Sequence, residues 1–183
     1  MDFNWLIPVI IALMVYACVY YYLKSRKVLP HVIDFMGPCI MIKTERVGFF
    51  DTLARPKKLL YAYATAGVLI TLLCAVVVTV MFLVSGILSL TVQTDPIPPQ
   101  DLLLIPGLNS YVPSTFAVWF ALFFAMIIHE AGHGIISRVE KMRVKSTGLL
   151  TLIIPIGAFV ESYGEDVEKA ALGSKLRMFA AGI

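Results

Sequence analysis

The chain has 183 residues, of which 59% are apolar and only 15% charged, and a mean hydropathy of +0.85. Soluble domains carry about a quarter charged residues, so this composition excludes an ordinary water-soluble globule and points to a lipid bilayer. The formal net charge of +3 says little about partners, and no nucleic-acid partner is expected.

The first apolar stretch runs from Phe3 to Leu23 without a charge, about 21 residues and long enough to span. Trp5 stands at one end and Tyr16, Tyr20, Tyr21 and Tyr22 toward the other, where amphipathic rings suit the interface. It is too long and too aromatic for a secretory signal and has no small-x-small cleavage site before Lys24. Residues 24–58 form a basic linker with His31 in an exposed loop, and Leu59 to about Leu90 forms a second span longer than one bilayer needs. A loop without Lys or Arg follows, with Asn109 as a turn residue, before a third span from Val112 to Ser137. Gly148 to Val160 is apolar and rich in β-branched residues but too short to span, and Pro155 and Gly157 break it. It reads as two extended pieces folded back on each other, re-entrant or interfacial. The expected fold is therefore an all-α polytopic membrane protein, with about three transmembrane helices and a short β-hairpin after the third. Its parts are an N-terminal helix (1–23), a cytoplasmic linker (24–58) and a membrane-embedded core starting within 59–183.

Lysines and arginines fix the expected orientation. Lys24, Arg26, Lys27, Lys43, Arg46, Arg55, Lys57 and Lys58 precede the second span, and Arg138, Lys141, Arg143 and Lys145 follow the third. All of these can be cytoplasmic, with the N-terminus and the proline-rich loop outside. Cys18, Cys39 and Cys74 are odd in number and lack C-x-x-C spacing, so they read as packing residues and form neither a disulfide framework nor a metal cluster.

The third span contains His129-Glu130-Ala131-Gly132-His133. An H-E-x-x-H run on a helix brings two imidazoles to one face, a zinc half-site, with the intervening Glu as the usual general base. Ionisable groups in a span are costly and persist mainly where they bind something or do chemistry. Phe123 to Ile128 precede the motif, so it is not a solvated charge face. The alternative of hydrogen-bonded core histidines is weaker in a chain with only three His. Arg138 follows His133 by about 7.5 Å of helix rise, which sets the metal in the cytoplasmic half of the bilayer. Gly132 and Gly134 thin the helix beside His133, for a close backbone approach or for plain helix packing.

Several runs together resemble the site-2 protease family of intramembrane zinc metalloproteases, archaeal members especially. They are Pro106-Gly107-Leu108-Asn109, Tyr111-Val112-Pro113, the metal motif with Gly134, and Gly157-Ala158-Phe159-Val160-Glu161. The linker pieces Ile40–Thr44, Asp51–Ala54 and Pro56-Lys57 look like that family's cytoplasmic linker, and Arg177 to Gly182 look like the opening of its next helix. The resemblance implies Zn(2+) held by His129 and His133, Glu130 as the catalytic base, and a transmembrane helical protein as substrate. It also implies a third ligand, an Asp in a later helix, which is expected beyond Ile183, so these residues alone are not expected to hydrolyse a peptide. Glu161 is the minor candidate for that ligand; the main reading of Glu161 to Asp166 is a solvated acidic turn. A different integral-membrane zinc protease, an inactive relative that binds helices, and a transporter stay open, although a transporter is expected to show repeated halves.

Overall fold

Residues 33–44, in the linker, form a β-hairpin that joins the sheet. A computed structural model describes residues 6–26, 29–92, 97–102, 104–152 and 155–182. Phe3, Trp5, Lys27 and Ile183, which entered the sequence reading, lie outside them. Helix α1 (Leu6–Arg26) leads to strands β1 (Ile33–Met36) and β2 (Cys39–Thr44), short helix α2 (Gly48–Leu53) and long helix α3 (Lys57–Leu88). Past a 3-10 turn at Pro99–Leu102 come α4 (Phe116–Val139), β3 (Val144–Thr151), β4 (Pro155–Ser162), α5 (Gly164–Lys169) and α6 (Leu172–Ala180).

The four strands form one antiparallel sheet in the order β1-β2-β3-β4. This corrects the all-α expectation. The sequence showed the β3–β4 hairpin as an isolated element, but the linker supplies a second hairpin that pairs with it, Ile40 opposite Thr151 and Thr44 opposite Thr147. The physical cause is the open edge of β3: its backbone groups need partners wherever water is scarce, and a second strand provides them. Gly148 makes the pairing possible, because a Cβ there would lie 2.0 Å from the Ile42 carbonyl oxygen. Gly37, at φ +58°, makes the tight β1–β2 turn, a conformation glycine adopts without steric cost.

Two helices are long and apolar enough to cross a membrane among the described residues, α3 and α4, rather than the three expected. Tyr16, Tyr20, Tyr21, Tyr22, Lys24 and Arg26 shorten the apolar part of α1, which still forms its helix. At 32 residues, α3 is about 48 Å long and exceeds a hydrocarbon core of about 30 Å. Leu69, Leu73, Phe82 and Leu83 on α3 and Phe116, Phe120 and Phe124 on α4 are exposed, an apolar surface far beyond what a soluble monomer shows.

The sheet lies along the second half of α4. Ile156 shares a cleft with Phe123 and Met126, Val160 packs in one cluster with Ala131 and Ile135, and the Ser162 hydroxyl meets that of Ser137 at 3.2 Å. Thus β4 runs parallel to α4, and β3, entering at Val144 just past the helix end, runs back against it. Phe50 of α2 is fully buried and fills the space left by Gly134, where a Cβ would sit 2.5 Å from its ring. Val47 and Val144 complete that core. Truncation of this ring, Phe50→Ala, is expected to destabilise the protein by about 3–5 kcal/mol. Denaturant unfolding in detergent measures it, and a loss under about 1 kcal/mol would show that the Phe50–Gly134 contact does not hold α2 to α4.

Candidate metal centre

Thr115 caps the start of α4, its hydroxyl accepting from the Val118 amide. From there the helix continues without a break through His129, Glu130 and His133. Two residues four apart on a helix stand about 40° apart around the axis, so both imidazoles project to one side. Their Nε2 atoms are 3.2 Å apart, with the rings edge to face.

The other ring nitrogens determine what that approach means. His133 Nδ1 lies 2.7 Å from the Met178 carbonyl oxygen, and His129 Nδ1 makes a short contact with the Gly182 carbonyl oxygen. A carbonyl only accepts, so each Nδ1 carries the hydrogen and each neutral ring presents a bare lone pair at Nε2. Two bare lone pairs facing each other repel unless a cation lies between them. Nitrogens each about 2.0–2.1 Å from a tetrahedral metal stand about 3.3 Å apart. The observed separation fits that arrangement, and a backbone carbonyl on the far nitrogen is the usual outer partner of a metal-bound imidazole.

Met178 lies in the last turn of α6, where its carbonyl also accepts from the Ala181 amide at 3.3 Å, and Gly182 lies in the turn just past the helix. Glycines let α6 come this close. A Cβ on Gly132 would lie 2.2 Å from the Ala181 carbonyl oxygen, and one on Gly182 would lie within the His129 ring's contact distance at 2.3 Å. On the α3 side Gly67 faces the Ala180 carbonyl, and Ala64, Ile136 and Ala181 form a buried cluster. Beside His129 an apolar cleft of about 650 Å³ opens between α3 and α4, lined by Leu60, Tyr63, Ile128, Gly132 and Ile135 among others.

Residues 117–183, from the first turn of α4 through α6, match the family model of peptidase family M50. Over these residues, a little more than a third of the chain, the sequence is similar to the site-2 protease family. That family is one of membrane metalloproteases, and the two apolar helices are consistent with the likeness. No solved structure matches the chain.

Within this M50 segment, the positions of the other candidates are clear. Glu130 is half-buried on α4, and no hydrogen bond or ion pair engages its carboxylate among the described residues. Glu161, the minor candidate for a third ligand, is held at the base of the sheet by Lys145 and the Ser146 hydroxyl, each at 2.8 Å. Asp166 takes two hydrogen bonds from the Arg143 guanidinium and a third from its amide, and these hold its carboxyl down to about 2. The stretch from Glu161 to Asp166 is therefore a strand end and a helix start pinned by basic partners, not a free acidic turn. No group of three or more His, Cys, Asp or Glu able to hold a metal occurs among the described residues, where the two imidazoles could offer a metal two ligands. His31 lies in an exposed turn, and Cys18, Cys39 and Cys74 are free thiols. Asn109 is in a turn, as expected, but is buried, its amide donating to the Asp101 carbonyl and its oxygen accepting from the Tyr111 amide.

Residue-by-residue reading missed the role of α6. Arg177 to Ala180 lie in the last described turn of α6, and Ala181-Gly182 turn against the imidazoles. The signal that could have found it is spacing. Glu140 follows His133 by two helical turns on the same face of α4, and Arg177 forms a two-pronged ion pair with it, the second bond at 3.1 Å. That guanidinium holds the Glu140 carboxyl below its ordinary value, burial opposing, with further help from Ser174. A carboxyl depressed by folding contributes stability above its unfolded value that is lost as pH falls through the folded one. With Arg177→Met the largest cause is gone and burial is opposed only by the Ser174 hydrogen bond, so the Glu140 carboxyl is expected to titrate higher than in the native protein. Carbon-13 NMR of labelled glutamate reads this midpoint. A midpoint unchanged from that of the native protein would show that the pair does not form in solution.

Proposed function

We propose that this chain carries the zinc-binding half of an intramembrane endopeptidase that cleaves transmembrane segments of other proteins, with His129 and His133 as zinc ligands and Glu130 as general base. The observation that carries this reading is the pair of bare Nε2 lone pairs, 3.2 Å apart, on a helix within the M50 match. Zinc, when bound, supplies Lewis acidity, bringing water's acidity toward neutrality and polarising a carbonyl. The chain's own residues do the rest. Gly182 and Met178 keep both imidazoles in the ligating tautomer, and Glu130, next to the first of them, takes a proton from the attacking water and delivers it to the leaving amine. Its carboxylate, engaged by no cation among the described residues, is free to do so. The third protein ligand is the Asp that the family resemblance implies.

A substrate helix hides its carbonyls in its own hydrogen bonds, so it must unwind to be cut. The edge strand β4, lying along the half of α4 that holds the motif, can pair with the unwound segment and keep its backbone satisfied. The proposed orientation has the N-terminus outside and the zinc in the cytoplasmic half of the cell membrane's bilayer.

Metal content and turnover together test the roles, measured on the full-length protein with a transmembrane substrate in detergent or bilayers. His129→Ala and His133→Ala are each expected to lose zinc and cleavage. Glu130→Gln is expected to keep zinc and fold while losing roughly 10²–10⁴-fold in turnover, the worth of a general base. Full zinc occupancy in the double His variant, or wild-type cleavage by Glu130→Gln, contradicts the assignment. A native protein with a complete ligand set that cuts no helical substrate favours a non-enzymatic helix-binding relative.

Single cysteines test the orientation, in a background without the three native ones. Ser110, in the loop before α4, and Lys141, in the exposed turn after it, lie at opposite ends of that helix. A cysteine at 110 is expected to label from outside and one at 141 from the cytoplasm only. Labelling of both from one face overturns the orientation.

A further inference from the structure

The carbonyls that orient the imidazoles are only as well placed as the helix that bears them, and α6 is nine residues long. It packs on α3 and α4, and its position follows from those contacts. Apolar contacts at Ala64, Ile136 and Ala181 hold it against α3 and α4 but allow sliding, since small side chains against glycines present a smooth surface. One contact does not slide. The Arg177 guanidinium meets the Glu140 carboxylate with two prongs and lies over the Tyr61 ring, its central carbon 4.2 Å from the ring centre. The planar fork of arginine matches a carboxylate in a single geometry, which fixes register as well as adding energy. With side-chain exposures of 15% for Arg177 and 8% for Glu140, the pair is shielded from the solvent that weakens surface bridges.

The spacing on both helices connects this pair to the metal centre. On α4, His133 and Glu140 are two turns apart on one face. On α6, Arg177 directly precedes Met178, whose carbonyl receives the His133 Nδ1 hydrogen. A one-residue slip of α6 would rotate it by about 100°, removing both carbonyls from the imidazoles. We infer that Arg177, through Glu140 and Tyr61, is a positioning residue for the metal site: it locks the register of α6 so that the Met178 and Gly182 carbonyls hold both histidines in the Nε2-ligating tautomer. It touches neither metal nor substrate. The inference rests on the proposed zinc site and adds the outer device that prepares it.

The test separates register from folding. Apolar replacement of a buried ion pair commonly preserves stability, so the double variant Glu140→Met/Arg177→Met is expected to fold and keep α6 against α3 and α4, without the directional lock. Its zinc affinity, read by competition with a chromophoric chelator, is expected to fall about 10–100-fold, the range for outer partners of metal-bound histidine. Nitrogen-15 NMR of labelled histidine in the metal-free protein is expected to show the Nδ1–H form in the native chain and a mixture of tautomers in the variant. Arg177→Lys, which keeps the charge and loses the fork, is expected to lie between. A folded double variant with native affinity and native tautomers overturns the inference while leaving the zinc site intact. Should the double variant unfold, the lysine variant decides: native tautomers and affinity there overturn the inference, and a shift in both supports it. Zinc that stays bound after both histidines are replaced by alanine overturns the site itself, a result the Arg177 variants cannot produce.

Discussion

The end of α6 against the histidine face of α4 is the contact on which the site's chemistry depends. An isolated H-E-x-x-H helix leaves each imidazole free to choose its tautomer and rotamer. Here two backbone carbonyls make the choice, because a carbonyl can accept a hydrogen from Nδ1 and can never donate one. The glycines at 132 and 182 belong to the same device. Any Cβ at either position would collide with the opposing backbone or ring, so the approach and the absence of side chains are one requirement.

Much of this was legible in the sequence, and the reasons are specific. Span boundaries followed from apolar length, and the structure moves them by only a few residues, to Lys57–Leu88 and Phe116–Val139. The metal motif stood out because its chemistry is local: two side chains four apart need nothing beyond a helix. The β3–β4 hairpin was visible for the same reason. What was not legible is non-local. No periodicity in residues 33–44 says that β2 will pair with a strand more than a hundred residues later, and only Gly148, opposite Lys43, hints at a close neighbour. The all-α expectation failed at this point. Similarly, Arg177 and Glu140 are ordinary charges in the sequence; their pairing exists only once α6 lies across the end of α4.

Gly134 shows how a plausible reading can be settled by its neighbour. The sequence left it between close backbone approach and plain packing. The structure puts the Phe50 ring over it, so α2 packs on α4 one face away from the imidazoles. Gly132, two residues earlier, takes the backbone of α6. One helix thus receives a ring on one glycine and a backbone turn on the other, which places linker and metal face on different sides of α4.

The first helix is joined to the rest in an unusual place. The Tyr20 hydroxyl donates to the Gly37 carbonyl at 2.7 Å, Tyr16 donates to the neighbouring Pro38 carbonyl, and the Tyr20 ring meets Phe35 edge to face. These bonds reach the tip of the β1–β2 hairpin, at the opposite end of the sheet from the ion pair of Lys145 and Glu161. Each is worth about 0.5–1.5 kcal/mol. Because β1 is one edge of the sheet and β4 the other, α1 is moored four strands away from α4, like an outrigger on a spar. Any path of contact from α1 through these bonds to the histidine helix α4 therefore runs through the sheet.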